Sequence, residues 1–249
     1  MFEKREFLKD LLKQTTRLFN GHWLCFTVIV AVYIVPVILI DTFFWDNQGL
    51  ILKLINKLSV NSLAVFDYGI YFILAILFFL TLAALIRAIG TAGAGGTPNV
   101  LESYAQGVRI LDSYLWVKFL FVFKVLCWSL LFVVPGIVFG VLYNFSGMAA
   151  AVDGKRGMEA LRDSRAIINA NLSDYLYCVV LTLTVSVLMC VIGVIFLDSV
   201  MLSAGQGAQS LAGKGIGLLK IILIGVTGIY FLIFYYYLYV ALRDRGRVR

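Results

Sequence analysis

Charge is scarce in this sequence of 249 residues. Only 14% of the residues are Asp, Glu, Lys or Arg, whereas soluble domains contain about 25%. Hydrophobic residues make up 61%, and several long runs contain no charge at all, the longest of them Val125–Val152. A helix needs about 20 apolar residues to cross a bilayer. The composition therefore indicates an integral membrane protein and excludes a soluble domain.

Residues that most catalytic and metal sites need are also scarce. There is one histidine, His22, and the four cysteines lie inside apolar runs without a C-x-x-C pair, so we expect no metal and no cofactor. Nucleophile motifs such as G-x-S-x-G or H-E-x-x-H are missing from the sequence. The net charge of +7 comes from basic residues that flank apolar runs and can face anionic lipid heads. We therefore expect neither an enzyme nor a nucleic-acid partner.

The apolar runs predict six transmembrane helices in a single membrane domain that covers residues 1–249. The spans are expected at about 23–40, 68–86, 114–133, 135–152, 175–197 and 221–242. The third and fourth spans share one apolar stretch, and Pro135-Gly136 predicts a hairpin turn near Val134–Gly136. The predicted fold class is all-α, a polytopic membrane helical bundle with amphipathic interfacial helices.

Amphipathic stretches separate the spans. In Met1–Asn20, leucines recur at helical spacing while Lys9, Lys13 and Arg17 share another face, which predicts a helix on the membrane surface. Similar patterns occur in Asp41–Asp67, in Leu101–Leu111 and in Asp153–Asp174. Two stretches rich in glycine are expected to be loops, namely Gly90–Pro98 and Ser199–Gly217.

Basic residues divide unequally between the two sides of this predicted bundle. Fifteen lie on the side of the termini, four lie on the other side, and two lie inside the third span. By the positive-inside rule, both termini are expected in the cytoplasm, which six spans allow.

A weak internal repeat relates Leu11–Trp23 to Leu161–Tyr175. In each segment, an amphipathic basic helix is followed by a polar stop and by an aromatic residue that opens a span. Such repeats are common in transporter folds. They also arise whenever helical hairpins follow one another, and the sequence does not distinguish these two origins.

Two lysines, Lys118 and Lys124, lie inside the predicted third span. A charge buried in hydrocarbon costs roughly 2.5–3.5 kcal/mol on insertion scales, so a partner or water is expected. In one interpretation, Lys124 binds an anionic group such as a lipid phosphate in a polar cavity, with Lys118 and Asn144 as candidate neighbours. In the other, Lys124 snorkels to the interface.

The segment Val134–Tyr175 carries a pattern with a family resemblance. Its elements are Pro135-Gly136 at the start of a span, Asp153-Gly154 at a turn, Glu159-Ala160-Leu161 with Ser164, and the polar stop Asn169–Asn171. The segment resembles the membrane domain of bacterial glycerophosphoryl diester phosphodiesterases and of related small inner-membrane proteins of unassigned function. Their catalytic domain is not among these residues, so the resemblance implies a module of the bacterial cytoplasmic membrane and does not imply hydrolysis.

The pattern also has a purely structural interpretation. Asp153-Gly154 can turn the chain, Glu159 suits the positive end of a helix, and Ala160 permits close packing. Ordinary helix entry explains the motif without a ligand.

We expect a non-enzymatic membrane module that handles lipids or apolar small molecules, or helps them to cross the membrane. The alternative is a structural or regulatory subunit that docks on another membrane protein. A polar cavity that reaches Lys124 would favour the first, and a dry interior with a flat apolar patch the second. The expected partners are anionic membrane lipids, with a membrane protein or a second copy of the chain as further candidates.

Overall fold

The computed structural model describes residues 2–46, 60–203 and 211–248. All regular structure in these residues is helical. The helices are α1 (Phe2–Asp46), α2 (Val60–Gly93), α3 (Val100–Leu131), α4 (Val133–Leu142), α5 (Ser146–Asp153), α6 (Gly157–Ala170), α7 (Leu172–Ser203) and α8 (Leu211–Val248). Within the described residues, six stretches are long and apolar enough to span a membrane. They are Lys4–Ile40, Tyr68–Gly93, Val100–Leu131, Val133–Asp153, Leu172–Leu197 and Leu219–Arg245. The prediction of an all-α polytopic membrane bundle is confirmed.

Helix α1 joins the predicted surface helix to the first span. Its backbone leaves helical geometry at His22, where φ is −135° and ψ is 17°, one residue before the predicted start of the span. Leu8, Leu11 and Leu18 are buried, so the apolar stripe of the first segment packs against the bundle. How this segment lies relative to the membrane plane stays a prediction.

The turn between the third and fourth spans lies earlier than predicted. Phe132 is a single extended residue, with φ −158° and ψ 140°, between the end of α3 and the start of α4. Pro135 and Gly136 therefore lie in the first turn of α4, where proline removes no helical hydrogen bond. A Cβ added at Gly136 would lie 2.0 Å from Ser129 Oγ and 2.9 Å from Ser129 Cα. The glycine is needed because the two helices approach so closely.

Two predicted loops are shorter than expected. Helix α2 continues to Gly93, so the loop before α3 covers only residues 94–99. Helix α7 continues to Ser203 and α8 begins at Leu211, so both ends of the predicted loop Ser199–Gly217 are helical. Residues 204–210, together with residues 47–59 in the predicted outer surface helix, lie outside the described residues.

Packing is concentrated at one end of the bundle, which we call the packed end. It contains the second half of α2, the first half of α3, α5, α6, the start of α7 and the second half of α8. Its most deeply buried side chains are at most 1% exposed and include Ala88, Phe145, Leu161, Tyr175 and Tyr239. At the opposite, bare end, large apolar side chains are more than 60% exposed, including Phe72, Leu130, Phe132, Met189 and Phe196.

The spans form an arc. Helix α4 packs on α3, α3 on α2, α2 on α1, α1 on α8, and α8 on α7. The helices at the two ends of this arc, α4 and α7, do not form a well-packed pair with each other within the described residues. Only 6% of the residues in the most apolar part of α7 are buried. Helix α7 therefore presents most of its surface to whatever surrounds the bundle.

Candidate functional site

The fourth span is interrupted where α4 meets α5. Residues 143–145 form a turn, and backbone groups freed within a membrane must be bonded inside the protein. Tyr143 N–H donates to Phe139 O at 3.0 Å, and Ser164 Oγ, from α6, donates to Leu142 O at 2.9 Å. Broken spans of this kind form the binding sites of many transporters, so the turn is a candidate site.

Aromatic side chains enclose this turn. Phe145 is fully buried, and its ring centroid lies 5.2 Å from that of Tyr175, 4.9 Å from Tyr235 and 5.3 Å from Tyr239. The predicted site residue Asn144 donates through Nδ2 to the Tyr175 hydroxyl at 2.7 Å. Asn144 therefore helps to hold α7 on the turn.

Two buried hydroxyls beside the turn have no hydrogen bond of normal geometry within the described part of the chain. One is Ser146 Oγ, in the first turn of α5, and the other is the Tyr235 hydroxyl, which lies near that of Tyr175. Buried polar atoms without a partner are uncommon and need an explanation.

The two predicted lysines contact aromatic rings. Lys124 Nζ lies 5.3 Å from the centroid of the Tyr143 ring, and Lys118 Nζ lies 5.6 Å from Tyr114 and 5.8 Å from Phe121. Among the described residues, no carboxylate lies within 4.0 Å of either ammonium. Aromatic rings are thus the partners of both ammonium groups, through cation–π contacts.

Lys118 and Lys124 lie in α3 beside the broken span and Asn144 lies in its turn, and each contacts a different group among the described residues. A Cβ added at Gly147 would lie 2.9 Å from Lys118 Nζ, so Lys118 packs against the start of α5. Lys124 lies against the turn itself, and Asn144 faces Tyr175.

The family-like motif docks α5 and α6 on α8. Asp153 accepts hydrogen bonds from the Tyr239 hydroxyl and, at 2.5 Å, from Arg243 Nη1. Gly154 follows with φ 69°, a left-handed conformation that glycine adopts without strain. Lys155 forms an ion pair with Asp163 at 2.6 Å. These contacts are those of a structural element.

The remaining motif residues pack in or next to α6. Ala160 and Ser164 are fully buried, and Glu159 lies in the first turn of the helix, 4.0 Å from Lys155. Sequence reasoning did not identify Tyr239 and Arg243 as partners of this motif. Their spacing of four residues, which places both on one face of α8, was the available signal.

A cavity of about 380 Å³ lies between α1, α7 and α8. Its walls include Leu8 and Phe19 from α1, Val185 and Met189 from α7, and Val226 and Tyr230 from α8. Hydroxyls of Thr182, Ser186 and Thr227 also line it. The cavity is open on the side of Met189, a lining residue that is 64% exposed. None of the predicted residues Lys118, Lys124 and Asn144 lines this cavity.

A hydrogen bond of 2.8 Å between Thr16 Oγ1 and the Tyr230 hydroxyl closes the junction of α1 and α8 beside this cavity. The ring of Phe19 meets that of Tyr230 edge to face, at 6.0 Å between centroids. Sequence reasoning missed the cavity because its walls combine α1 with α7 and α8, which lie far from α1 in the sequence.

Comparison of the chain with protein-family models, with curated proteins and with solved structures finds no match.

Proposed function

We propose that this chain is a non-enzymatic membrane module that binds lipids or other apolar small molecules and helps them to move within or across the bilayer. We place it, as part of this proposal, in the bacterial cytoplasmic membrane with both termini inside. The observation that carries the proposal is the cavity between α1, α7 and α8.

The size and chemistry of this cavity suit one acyl chain. Its volume of about 380 Å³ falls in the range of roughly 300–1,000 Å³ that small-molecule sites occupy, and such sites combine apolar walls with a few polar groups. Its walls follow this pattern, with hydroxyls at Thr182, Ser186 and Thr227. Because the cavity opens sideways, a lipid tail could enter it from the bilayer.

The basic face of α1 indicates which lipids the cavity would prefer. Helix α1 supplies both an apolar wall, through Leu8 and Leu12, and an exposed basic face that includes Lys9 and Lys13. A lipid whose chain enters the cavity would have its headgroup within reach of basic side chains, which attract anionic lipids. We therefore propose anionic lipids as the preferred ligands.

Filling the cavity tests this function. Ser186→Phe places a ring into the cavity from α7, whereas Thr184→Phe, two residues away, adds the same ring at an exposed position that does not line it. The protein is purified in a mild detergent, and bound lipid per protein is measured by native mass spectrometry. We expect wild type and Thr184→Phe to retain lipid and Ser186→Phe to lose most of it.

Thr227→Phe repeats the test from the facing wall of the cavity, in case Ser186→Phe does not fold. Equal lipid retention by wild type and by all folded variants would contradict the proposal.

The exposed aromatic rings of α3 favour a second candidate, a subunit that docks on another membrane protein or on a second copy of the chain. Trp116, Phe119 and Phe123 are each more than half exposed, and their rings stack with centroids 5.6 Å and 6.2 Å apart. Interfaces are enriched in such aromatic residues. A stoichiometric complex that Phe119→Ala disrupts, together with unchanged lipid retention by Ser186→Phe, would favour this candidate.

A further inference from the structure

A second cavity, of about 300 Å³, lies at the packed end between α2, α3, α5 and α8. Its lining includes Arg87, Gly90, Thr91, Gln106, Val152 and Tyr236. Arg87 is the one charged residue among the described residues that line it. This cavity shares no lining residue with the cavity between α1, α7 and α8.

The guanidinium of Arg87 lacks a partner within the described part of the chain. Its Nε is buried and makes no hydrogen bond, and no described carboxylate lies within 4.0 Å of the side chain. By contrast, Arg243 and Arg245 on α8 pair with Asp153 and Asp174 at 2.5 Å and 3.3 Å. A half-buried guanidinium with an unbonded donor is costly unless something binds it.

The neighbouring carboxylates are already bonded. Asp153 is held by Tyr239 and Arg243, and Glu102 accepts a hydrogen bond from Gln106 Nε2 at 3.1 Å. No carboxylate is among the lining residues, so Arg87 supplies the charge at the wall of the cavity itself.

Further polar groups line the cavity around Arg87. The amide of Gln106 carries a second N–H that its bond to Glu102 does not use. The Tyr236 hydroxyl lies 3.8 Å from the position of a Cβ at Gly90, and so lies at the cavity wall. A positive fork with amide and hydroxyl groups nearby is the donor set that oxyanions bind, since a guanidinium binds phosphate oxygens in pairs.

We propose that this cavity binds a phosphate-type oxyanion, with Arg87 as its principal ligand and Gln106 and Tyr236 as further donors. The phosphate group could belong to a lipid headgroup or to a soluble anion, because both present the same oxygens. This proposal does not depend on the lipid cavity between α1, α7 and α8, and either can fail alone.

The test uses the full chain. In the first arm, the protein is in a maltoside detergent without phospholipid, and inorganic phosphate is titrated at constant ionic strength while the unfolding midpoint is followed. In the second arm, the protein is in phosphatidylcholine nanodiscs in which part of the lipid is replaced by phosphatidic acid, and lipid retained by the released protein is measured by native mass spectrometry. A response in the first arm identifies a soluble oxyanion, and one in the second a lipid headgroup.

Four variants accompany the wild type. Arg87→Gln removes the charge, and Arg87→Lys keeps the charge without the planar fork. Gly90→Leu fills the cavity while it keeps Arg87, since nothing lies closer than 3.8 Å to a Cβ there. The matched control is Arg165→Gln, which removes an exposed arginine of α6.

We expect wild type and Arg165→Gln to respond in at least one arm. In Arg87→Gln and in Gly90→Leu, binding should be weaker by about tenfold or more, as the loss of charge-assisted hydrogen bonds predicts. Arg87→Lys should lie between them. A wild type that is silent in both arms, or a folded Arg87→Gln that responds like wild type, would overturn the proposal. If Arg87→Gln does not fold, Gly90→Leu decides in the same way.

Discussion

The packed end and the bare end of this bundle are joined by the same long apolar helices but are held together differently. At the packed end, rings interlock around Phe145, and ion pairs such as Asp153–Arg243 tie α5 to α8. At the bare end, side chains such as Phe72 and Leu130 point outward. In lipid there is no hydrophobic force between helices, so apolar residues need no protein partner there.

Helices at the bare end are therefore held together by close packing of complementary surfaces. The α3–α4 hairpin depends on the close approach of Gly136 to Ser129 and on the stacked rings of Trp128 and Phe139, with centroids 4.5 Å apart. Small residues at helix interfaces are the usual means of packing in membranes. Stability should therefore be sensitive to substitutions that change ring size or charge at the packed end and to substitutions of glycine at the bare end.

The largest expected effect comes from phenylalanines with opposite exposure. Phe145→Ala should lower the free energy of unfolding by about 2–4 kcal/mol, at or below the range for buried rings in soluble cores, because in lipid the lost packing contacts are not accompanied by a hydrophobic term. Phe72→Ala, at a residue 66% exposed, should change it little. Steric trapping in bicelles measures both. Similar losses in the two variants would show that the ends do not differ.

A second effect concerns charge at the packed end. Asp153→Ala leaves Arg243 and Tyr239 without their shared acceptor, and should cost about 2–3 kcal/mol, less than for a fully buried pair, because both side chains are partly exposed. Glu6→Ala breaks the exposed Lys9–Glu6 pair and should have little effect. Thermal unfolding in detergent compares the two. An unaffected Asp153→Ala would mean that α5 does not depend on this contact.

A third, smaller effect compares two glycines of α4. Gly136→Ala should separate α3 from α4 and cost about 1–2 kcal/mol, because the new methyl group would overlap Ser129. Gly140→Ala has nothing within 4 Å of its Cβ and should be neutral or slightly stabilising, since alanine favours the helix. Unfolding in bicelles distinguishes them. Equal stability of both variants would argue against the close α3–α4 contact.

The smallest effect on stability is expected at the lysines between the two ends. Lys124→Met removes the charge but keeps the apolar bulk, so yield should not fall. This variant tests an anion contact separate from the cavity between α1, α7 and α8, which Lys124 does not line, and such a contact predicts that co-purified anionic lipid decreases. Lys118→Met, which lies nearer the packed end and against Gly147, should lower lipid retention less. Quantitative lipid analysis of the purified variants measures this. Unchanged lipid in Lys124→Met would leave its contact with Tyr143 as a packing contact only.

The number of spans could be predicted from hydropathy, and the start of the first span beside His22 could be predicted from the change from an amphipathic to an apolar pattern. Both signals depend on residues that are neighbours in the sequence. The α2–α3 interface could not be predicted in this way. Within the predicted amphipathic stretch Leu101–Leu111, the apolar residues Leu101 and Val108 are exposed, whereas Gly107 is buried. A Cβ added at Gly107 would lie 3.1 Å from Ala84 N. Hydrophobic periodicity does not detect an interface made by close backbone approach.

The candidate sites were predictable only in part. Lys124 was identified because a charge inside an apolar run is conspicuous, but its contact with Tyr143 depends on the break between α4 and α5, which was not predicted. Arg87 was assigned only to the flank of a span. Its cavity needs residues from four helices, and no local pattern brings these together.

Reporter fusions test most directly the proposed arrangement, in which six spans cross the membrane and the packed end faces the cytoplasm. Fusions after Arg249 and within residues 154–171 should report cytoplasm, because basic residues cluster on that side. Fusions within Asn47–Asn61 and within Ser203–Gly215 should report the outside. A cytoplasmic signal from Ser203–Gly215 would contradict the six-span arrangement, and with it the cytoplasmic placement of the Arg87 cavity.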